Sequence, residues 1–202
     1  MKQPPQHPII IITAPSGAGK TTITRHLMQQ YPLLAFSVSA ATRAPRPNEQ
    51  HGVDYYFMSE EAFREKINAD AFLEWEMVYP GKYYGTLKSE LQRIWQNKQV
   101  PLLDIDVKGA MRVQQLYPGQ TLSLFIAPPS LEVLEQRLRH RGTETPESLQ
   151  ARLEKAAFEM SFQNQFDRVI VNDQLPLACA AATAAVQQFL GTPPVGTPAE
   201  KQ

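Results

Sequence analysis

The chain has 202 residues, of which 43% are hydrophobic and 20% charged, an ordinary globular balance in a chain long enough to bury a core without staples. Twenty basic residues match twenty acidic ones, so no global field draws it to a nucleic-acid polymer or a membrane surface. The single cysteine, Cys179, excludes an intrachain disulfide, the start MKQPPQHP lacks the apolar stretch of a signal peptide, and nothing approaches about 18 consecutive apolar residues; together these predict a cytoplasmic protein with no membrane partner.

In chain order, residues 1–8 are polar and proline-rich and read as a disordered N-terminus. A buried strand over 9–13 and a helix over 21–30 follow. Residues 35–86 then break the rhythm with aromatics and prolines, short strands at 55–58 and 72–79 and a helix at 60–67, and read as an inserted lobe. Beyond it, helices over 87–96, 109–116, 131–140, 146–163 and 175–190 alternate with apolar strands over 100–106, 122–127 and 169–171. Such alternation predicts an α/β fold with a central parallel sheet flanked by helices. The arginine-rich segment 137–152 reads as a small mobile cover, and 191–202 as a flexible tail. Cys179, within LACAAATAAV, reads as a packed thiol.

The strongest local signal is IIIITAPSGAGKTTI, in which a buried strand enters a small-residue loop, Lys20-Thr21 and a helix. The backbone N–H groups of Ser16 through Thr21 can curl around a phosphate at the positive end of that helix. Gly17 and Gly19 permit the curl, Lys20 would reach the β- and γ-phosphates, and the Thr21 hydroxyl would ligate Mg²⁺. Ala14 stands where the pattern G-x-x-x-x-G-K-[ST] opens on glycine, and a left-handed backbone there would be strained.

Three further segments, FSVSAATRAPRPNEQHGVDYYF, FLEWEMVYPGKYYGT and LLDIDVKGA, make the chain similar to guanylate kinases over roughly residues 9–190. The resemblance implies a P-loop NTPase fold: a core at about 9–34, 87–136 and 153–190, a GMP-binding lobe at about 35–86 and a lid at about 137–152. It implies ATP as donor, GMP as acceptor and Mg²⁺ as metal, and leaves room for a homodimer. The residues are consistent with this. Pro45 and Pro47 favour a polyproline path that projects Arg43 and Arg46 to one side, where Tyr55 and Tyr84 can add hydroxyl donors to the same phosphate. A carboxylate suits the adjacent N1–H and N2–H₂ donors of guanine and repels the N1 acceptor of adenine. Glu74 and Glu76 share a strand face, and family register alone selects Glu74.

By the same resemblance Ser39, Thr86 and Asp106 complete the base contacts, and Gly85 belongs to the GMP site. Residues Ala14, Pro15, Ser16, Gly17, Ala18, Gly19, Lys20 and Thr21 hold ATP, Arg137, Arg141 and Arg152 close over its phosphates, and Asn172 contacts adenine. Asp104 and Asp106, two apart at a strand end, face one way, and Asp104 is taken for the metal and Asp106 for the acceptor, with helix capping an alternative for one of them. Asn48 replaces the family's usual glycine. Lys20, Arg43, Arg141 and Arg152 form the expected catalytic set, with lobe and lid closing around both nucleotides. A non-catalytic guanylate-kinase-like binding module is the competing reading; it would lose phosphate-loop or acceptor residues that this chain keeps. A P-loop kinase for a ribose bisphosphate is a third, disfavoured by the base-reading pair Ser39 and Glu74.

Overall fold

The computed structural model describes residues 5–140 and 145–195. Its elements run β1 (Ile9–Thr13), α1 (Lys20–Gln30), β2 (Leu34–Phe36), β3 (Ser39–Ala41), β4 (Tyr55–Phe57), α2 (Glu60–Asn68), β5 (Phe72–Tyr79) and β6 (Lys82–Leu87). They continue with α3 (Lys88–Gln96), β7 (Val100–Asp104), α4 (Val107–Leu116), β8 (Thr121–Ala127), α5 (Leu131–His140), α6 (Pro146–Met160), β9 (Arg168–Val171) and α7 (Leu175–Leu190).

Five strands form an all-parallel sheet in the order β2-β7-β1-β8-β9. The four isoleucines of β1 are fully buried. Ile10 and Ile12 face one layer with Leu27 of α1 and Ala182 of α7, while Ile9 and Ile11 face the other with Leu91 of α3 and Ala110 of α4. An unbroken apolar run is what a strand covered on both faces requires. Cys179 is buried in the first of these layers.

A second, mixed sheet has the order β4-β3-β6-β5, with β3 parallel to β4 and the remaining pairs antiparallel. Helix α2 closes one face of it, Phe63 stacking on Phe72 with ring centroids 4.2 Å apart and on Tyr83 at 5.3 Å. Helices α5 and α6 pack on each other through Leu134, Leu138, Leu149 and Ala156.

The structure corrects the sequence reading in several places. The strand expected over 100–106 ends at Asp104, because Asp106 leaves the sheet to cap α4 with its Oδ1 accepting the Gly109 N–H at 2.8 Å. The two aspartates therefore do not share one strand face. Helix α6 stops at Met160 rather than 163 and gives way to a short 3-10 turn at Gln163–Gln165. Strands β2, β3 and β6 were not predicted: β2 and β3 are only three residues long, and β6 (KYYGTL) carries no clean alternation. Ala14 and Asn48 both keep ordinary backbone, since the non-glycine residues at positive φ are Asp70 and Lys98 among those described. Neither replacement of glycine strains its loop.

The two sheets are joined by two strands of chain, from β2 into β3 through Ser37 and Val38, and from β6 directly into α3. Glu90, in the first turn of α3 and only 2% exposed, ties them together. It accepts hydrogen bonds from the Val38 N–H (3.0 Å), the Tyr56 hydroxyl of β4 (2.9 Å) and the Arg93 guanidinium (2.8 and 3.0 Å). Burial alone would push its carboxyl up, yet these donors hold it below the usual carboxylate value. Replacing Glu90 by Ala orphans a buried N–H and an arginine. It should lower unfolding stability by about 2–4 kcal/mol, whereas Tyr56→Phe should cost about 1 kcal/mol. Urea denaturation of both variants checks this, and a parent-like midpoint for Glu90→Ala would remove the clamp from the account.

Candidate active site

The loop from β1 to α1 lies at the carboxyl end of the parallel sheet, beside the point where β1 separates β7 from β8. Ligands of open parallel sheets bind at such switch points. Gly17 (φ 96°) and Gly19 (φ 98°) take the left-handed backbone that side chains resist, which turns successive N–H groups inward above the first turn of α1. Gly19 is constrained twice over, because a Cβ there would collide with the side-chain amide of Asn172.

Asn172 follows β9, is 6% exposed, and donates from Nδ2 to the Ala18 carbonyl at 2.7 Å while its own N–H reaches the Ala127 carbonyl at 2.8 Å. The far edge of the sheet thus supports the loop from beneath. Family resemblance assigned this residue to adenine, and its use as a prop for the loop carried no signal in the sequence.

The register of β1 with β7 sets Ile12 opposite Asp104, and the Lys20 ammonium forms an ion pair with the Asp104 carboxylate. Thr21, next to Lys20, is exposed. Arg152 of α6 reaches the loop, its Nη1 donating to the Ser16 hydroxyl at 2.6 Å. Arg137 is half-exposed near the end of α5, and Arg139 pairs with Glu135 on the helix surface. Arg141 lies outside the described residues.

On the second sheet, Arg43 sits 4.8 Å above the Tyr55 ring and 5.5 Å from that of Phe57, with Tyr84 edge-on to Tyr55 at 6.1 Å. A two-pronged contact with Glu49, at 2.5 and 2.6 Å, aims the Arg43 guanidinium. Hydrogen bonds from Arg43 and from the Arg46 N–H hold the Glu49 carboxyl at about 2. Arg46 itself points outward, its side chain 76% exposed and 3.9 Å from Glu49. Here the sequence reading named the cations but gave no role to Glu49, the anion that aims Arg43.

Register in the β5–β6 hairpin sets Glu74 opposite Thr86. Glu74 is 6% exposed, and its Oε1 accepts the Thr86 hydroxyl at 2.6 Å. Burial pushes its carboxyl up to about 7 despite that bond. Glu76 is raised to about 7 as well, first by a hydrogen bond with Asp106 and then by burial, and Lys108 stands 3.8 Å away. The two carboxylates left open by spacing thus differ in setting: Glu74 is buried and fixed by Thr86, whereas Glu76 is less buried and is raised chiefly by the neighbouring Asp106. A cavity of roughly 370 Å³ lies against Glu74, Glu76, Asp106, Lys108, Gly109 and Arg112. Ser39 begins β3, paired with Tyr55, and Gly85 lies opposite Ala40 and Trp75.

Among the described residues no helix is long and apolar enough to cross a membrane, and no cluster of three or more His, Cys, Asp or Glu is arranged as a metal cage. A phosphate loop with a carboxylate at a strand end offers a seat for a polyphosphate, while the second sheet carries both the Arg43–Tyr55–Tyr84 cluster, suited to a smaller phosphate, and the cavity against the buried Glu74, suited to a donor-rich ring.

Residues 6–189 match the family model described as guanylate kinase. A guanylate kinase of Salinibacter ruber is 49% identical over 188 residues, covering 93% of this chain and all of that protein, and one of Bacteroides fragilis is 46% identical over 183 residues, covering 91% and 90%. The crystal structure of guanylate kinase from Anaplasma phagocytophilum superposes with a TM-score of 0.72 at 29% identity, covering 97% of this chain and 93% of that one. With sequence, family model and fold in agreement along almost its whole length, the chain belongs to the guanylate kinase family.

Proposed function

We propose that the protein transfers the γ-phosphoryl group of ATP to GMP, giving ADP and GDP, in the cytoplasm. The observation that carries the choice of acceptor is the Glu74 carboxylate, buried against the cavity and fixed by Thr86. Such a group accepts from the N1–H and N2–H₂ of guanine and faces the N1 lone pair of adenine with repulsion. Ser39, Gly85, Thr86 and Asp106 complete this compartment, while Arg43, Arg46, Tyr55 and Tyr84 take the GMP phosphate.

Residues Ala14 through Thr21 wrap the ATP phosphates, with Lys20 on the β- and γ-groups. Arg137, Arg141 and Arg152 spread charge over the transferred group from the lid side. Asn172 gives one amide N–H to the loop, and its side-chain oxygen is the group offered to adenine. The hydroxyl of Thr21 and the carboxylate of Asp104 are hard oxygen donors of the kind Mg²⁺ prefers, and Asp104 becomes available once Lys20 moves to phosphate. Bound there, the metal would neutralise charge on the β- and γ-phosphates. An oxygen of the GMP phosphate attacks the γ-phosphorus as the bond to the bridging oxygen of ADP breaks. The nucleophile is already ionised, so no side chain must remove a proton, and positioning with charge neutralisation suffices. The lobe and the lid segment bring these groups together by closing on both nucleotides.

An ADP-release assay across GMP, AMP, CMP and UMP tests the reading directly; turnover with GMP far above the others is expected, and ADP release with none of them would sink it. Arg43→Ala should lower GMP affinity roughly tenfold or more, the usual consequence of a lost charge-assisted hydrogen bond. ATP affinity, titrated alone, should stay unchanged, and equal losses for both nucleotides would place Arg43 elsewhere.

Glu74→Gln should lower kcat/KM for GMP and raise the AMP-to-GMP ratio, since an amide is no longer a pure acceptor. Glu76→Gln is the control; relaxed base choice there and not in Glu74→Gln would reassign the reader. Because burial sets the Glu74 carboxyl at about 7 before acceptor binds, it is mostly neutral below that pH and ionised above it. GMP affinity should therefore rise roughly tenfold between pH 6 and pH 8. The phosphate of GMP also titrates in this window, so the diagnostic component is the part that Glu74→Gln abolishes. An identical pH profile in parent and variant would show that Glu74 does not titrate in binding.

A further inference from the structure

Gly109 occupies the first turn of α4, where it is buried. Its φ lies outside the positive range, so backbone conformation gives no reason for glycine there, and alanine would be the better helix former. What glycine supplies is room. A Cβ at this position would stand 2.8 Å from Glu74 Oε2, 3.2 Å from Glu74 Cδ and 3.3 Å from Asp106 Oδ1. These distances are short enough that the carboxylate itself would have to move.

Its freedom to move is limited. Glu74 Oε1 is held by the Thr86 hydroxyl at 2.6 Å, and Arg112 Nε of α4 donates to the Leu73 carbonyl of β5 at 3.2 Å, which fixes the helix against the strand. On the β6 side, a Cβ on Gly85 would meet the Glu74 carbonyl at 2.6 Å and the Trp75 Cβ at 2.8 Å, so β5 is packed closely there as well. The Gly109 N–H, finally, orients Asp106 through its 2.8 Å bond to Oδ1. One residue without a side chain thus sets the position of two acidic groups on the cavity wall.

We infer that Gly109 is a positioning residue for acceptor-base selectivity: by lacking a Cβ it lets the Glu74 carboxylate lie against α4 with Oε2 placed for the donor edge of guanine. The inference rests on the reading of Glu74 given above. It predicts a separation of stability from selectivity that a packing glycine would not produce.

In Gly109→Ala, kcat/KM for GMP should fall at least about tenfold and the AMP-to-GMP ratio should rise. The KM for ATP should be unchanged and the melting temperature should stay within about 3 °C of the parent. A double-mutant cycle isolates the cause. In a Glu74→Ala background no carboxylate remains to be displaced, so adding Gly109→Ala should change kcat/KM for GMP by less than about twofold. Parent-like GMP kinetics and base choice in Gly109→Ala would overturn the inference. So would the same loss in the Glu74→Ala background, or a large fall in melting temperature with loss of both nucleotides, either of which assigns the glycine to packing alone. If Glu74→Gln relaxes base choice and Gly109→Ala does not, only this inference fails; if Glu74→Gln leaves base choice intact, the guanine reading fails with it.

Discussion

Burial of β1 on both faces is the constraint from which the phosphate side of the site follows. Its four isoleucines are completely covered, and its backbone pairs on both edges, with β7 and with β8. A strand so enclosed cannot slide, since a shift of one residue would exchange the side chains of the two layers. Its carboxyl end is therefore fixed, and with it the loop that follows. The same register sets Asp104 beside Lys20, and β9, two strands away, delivers Asn172 beneath Ala18. The loop is thus shaped by contacts that come from three separate parts of the chain.

The acidic groups illustrate how one residue type acquires different states in one cleft. Glu49 is exposed to two arginines' donors and is held at about 2, a permanent anion that aims Arg43. Glu74 is buried with one hydroxyl donor, and desolvation outweighs that bond, so its carboxyl rises to about 7. Glu90 is buried more deeply by exposure, yet three donors reach it and its carboxyl is lowered instead. The donors around Glu90, a guanidinium among them, outweigh desolvation there, whereas the single hydroxyl at Glu74 does not. Glu49 and Glu90 organise the scaffold as fixed charges, whereas Glu74 is left close to neutrality where a ligand with two N–H donors can complete its shell.

Where the two sheets meet, Glu90 binds the outgoing chain at Val38, the second sheet at Tyr56 and its own helix at Arg93. Beside these directional bonds β5 also packs on the core: Leu73 is buried with Ile9, Ile11 and Leu91, and Arg112 of α4 donates to the Leu73 carbonyl.

Much of this was legible in the sequence because it is encoded locally. The apolar run of β1, the GAGKT loop and the strict limits of α5 and α7 depend on neighbours in the chain, and periodicity reports them. Family register set Glu74 apart from Glu76, and the arginines and tyrosines of the second sheet were likewise visible as residue types. Strands β2, β3 and β6 were not, since three-residue strands and a KYYGTL segment owe their extension to the partners they pair with. The strand predicted through Asp106 was too long for the same reason: only the docked helix α4 offers an N–H for that carboxylate to cap. Sequence by itself determined which chemistry the chain could carry, a phosphate loop with a carboxylate-lined acceptor side. Tertiary structure alone decided that Glu74 is the buried carboxylate while Glu76 lies beside Asp106, that Asn172 supports the loop, and that Gly109 stands against Glu74, because burial and contact distance are set by residues far apart in the chain.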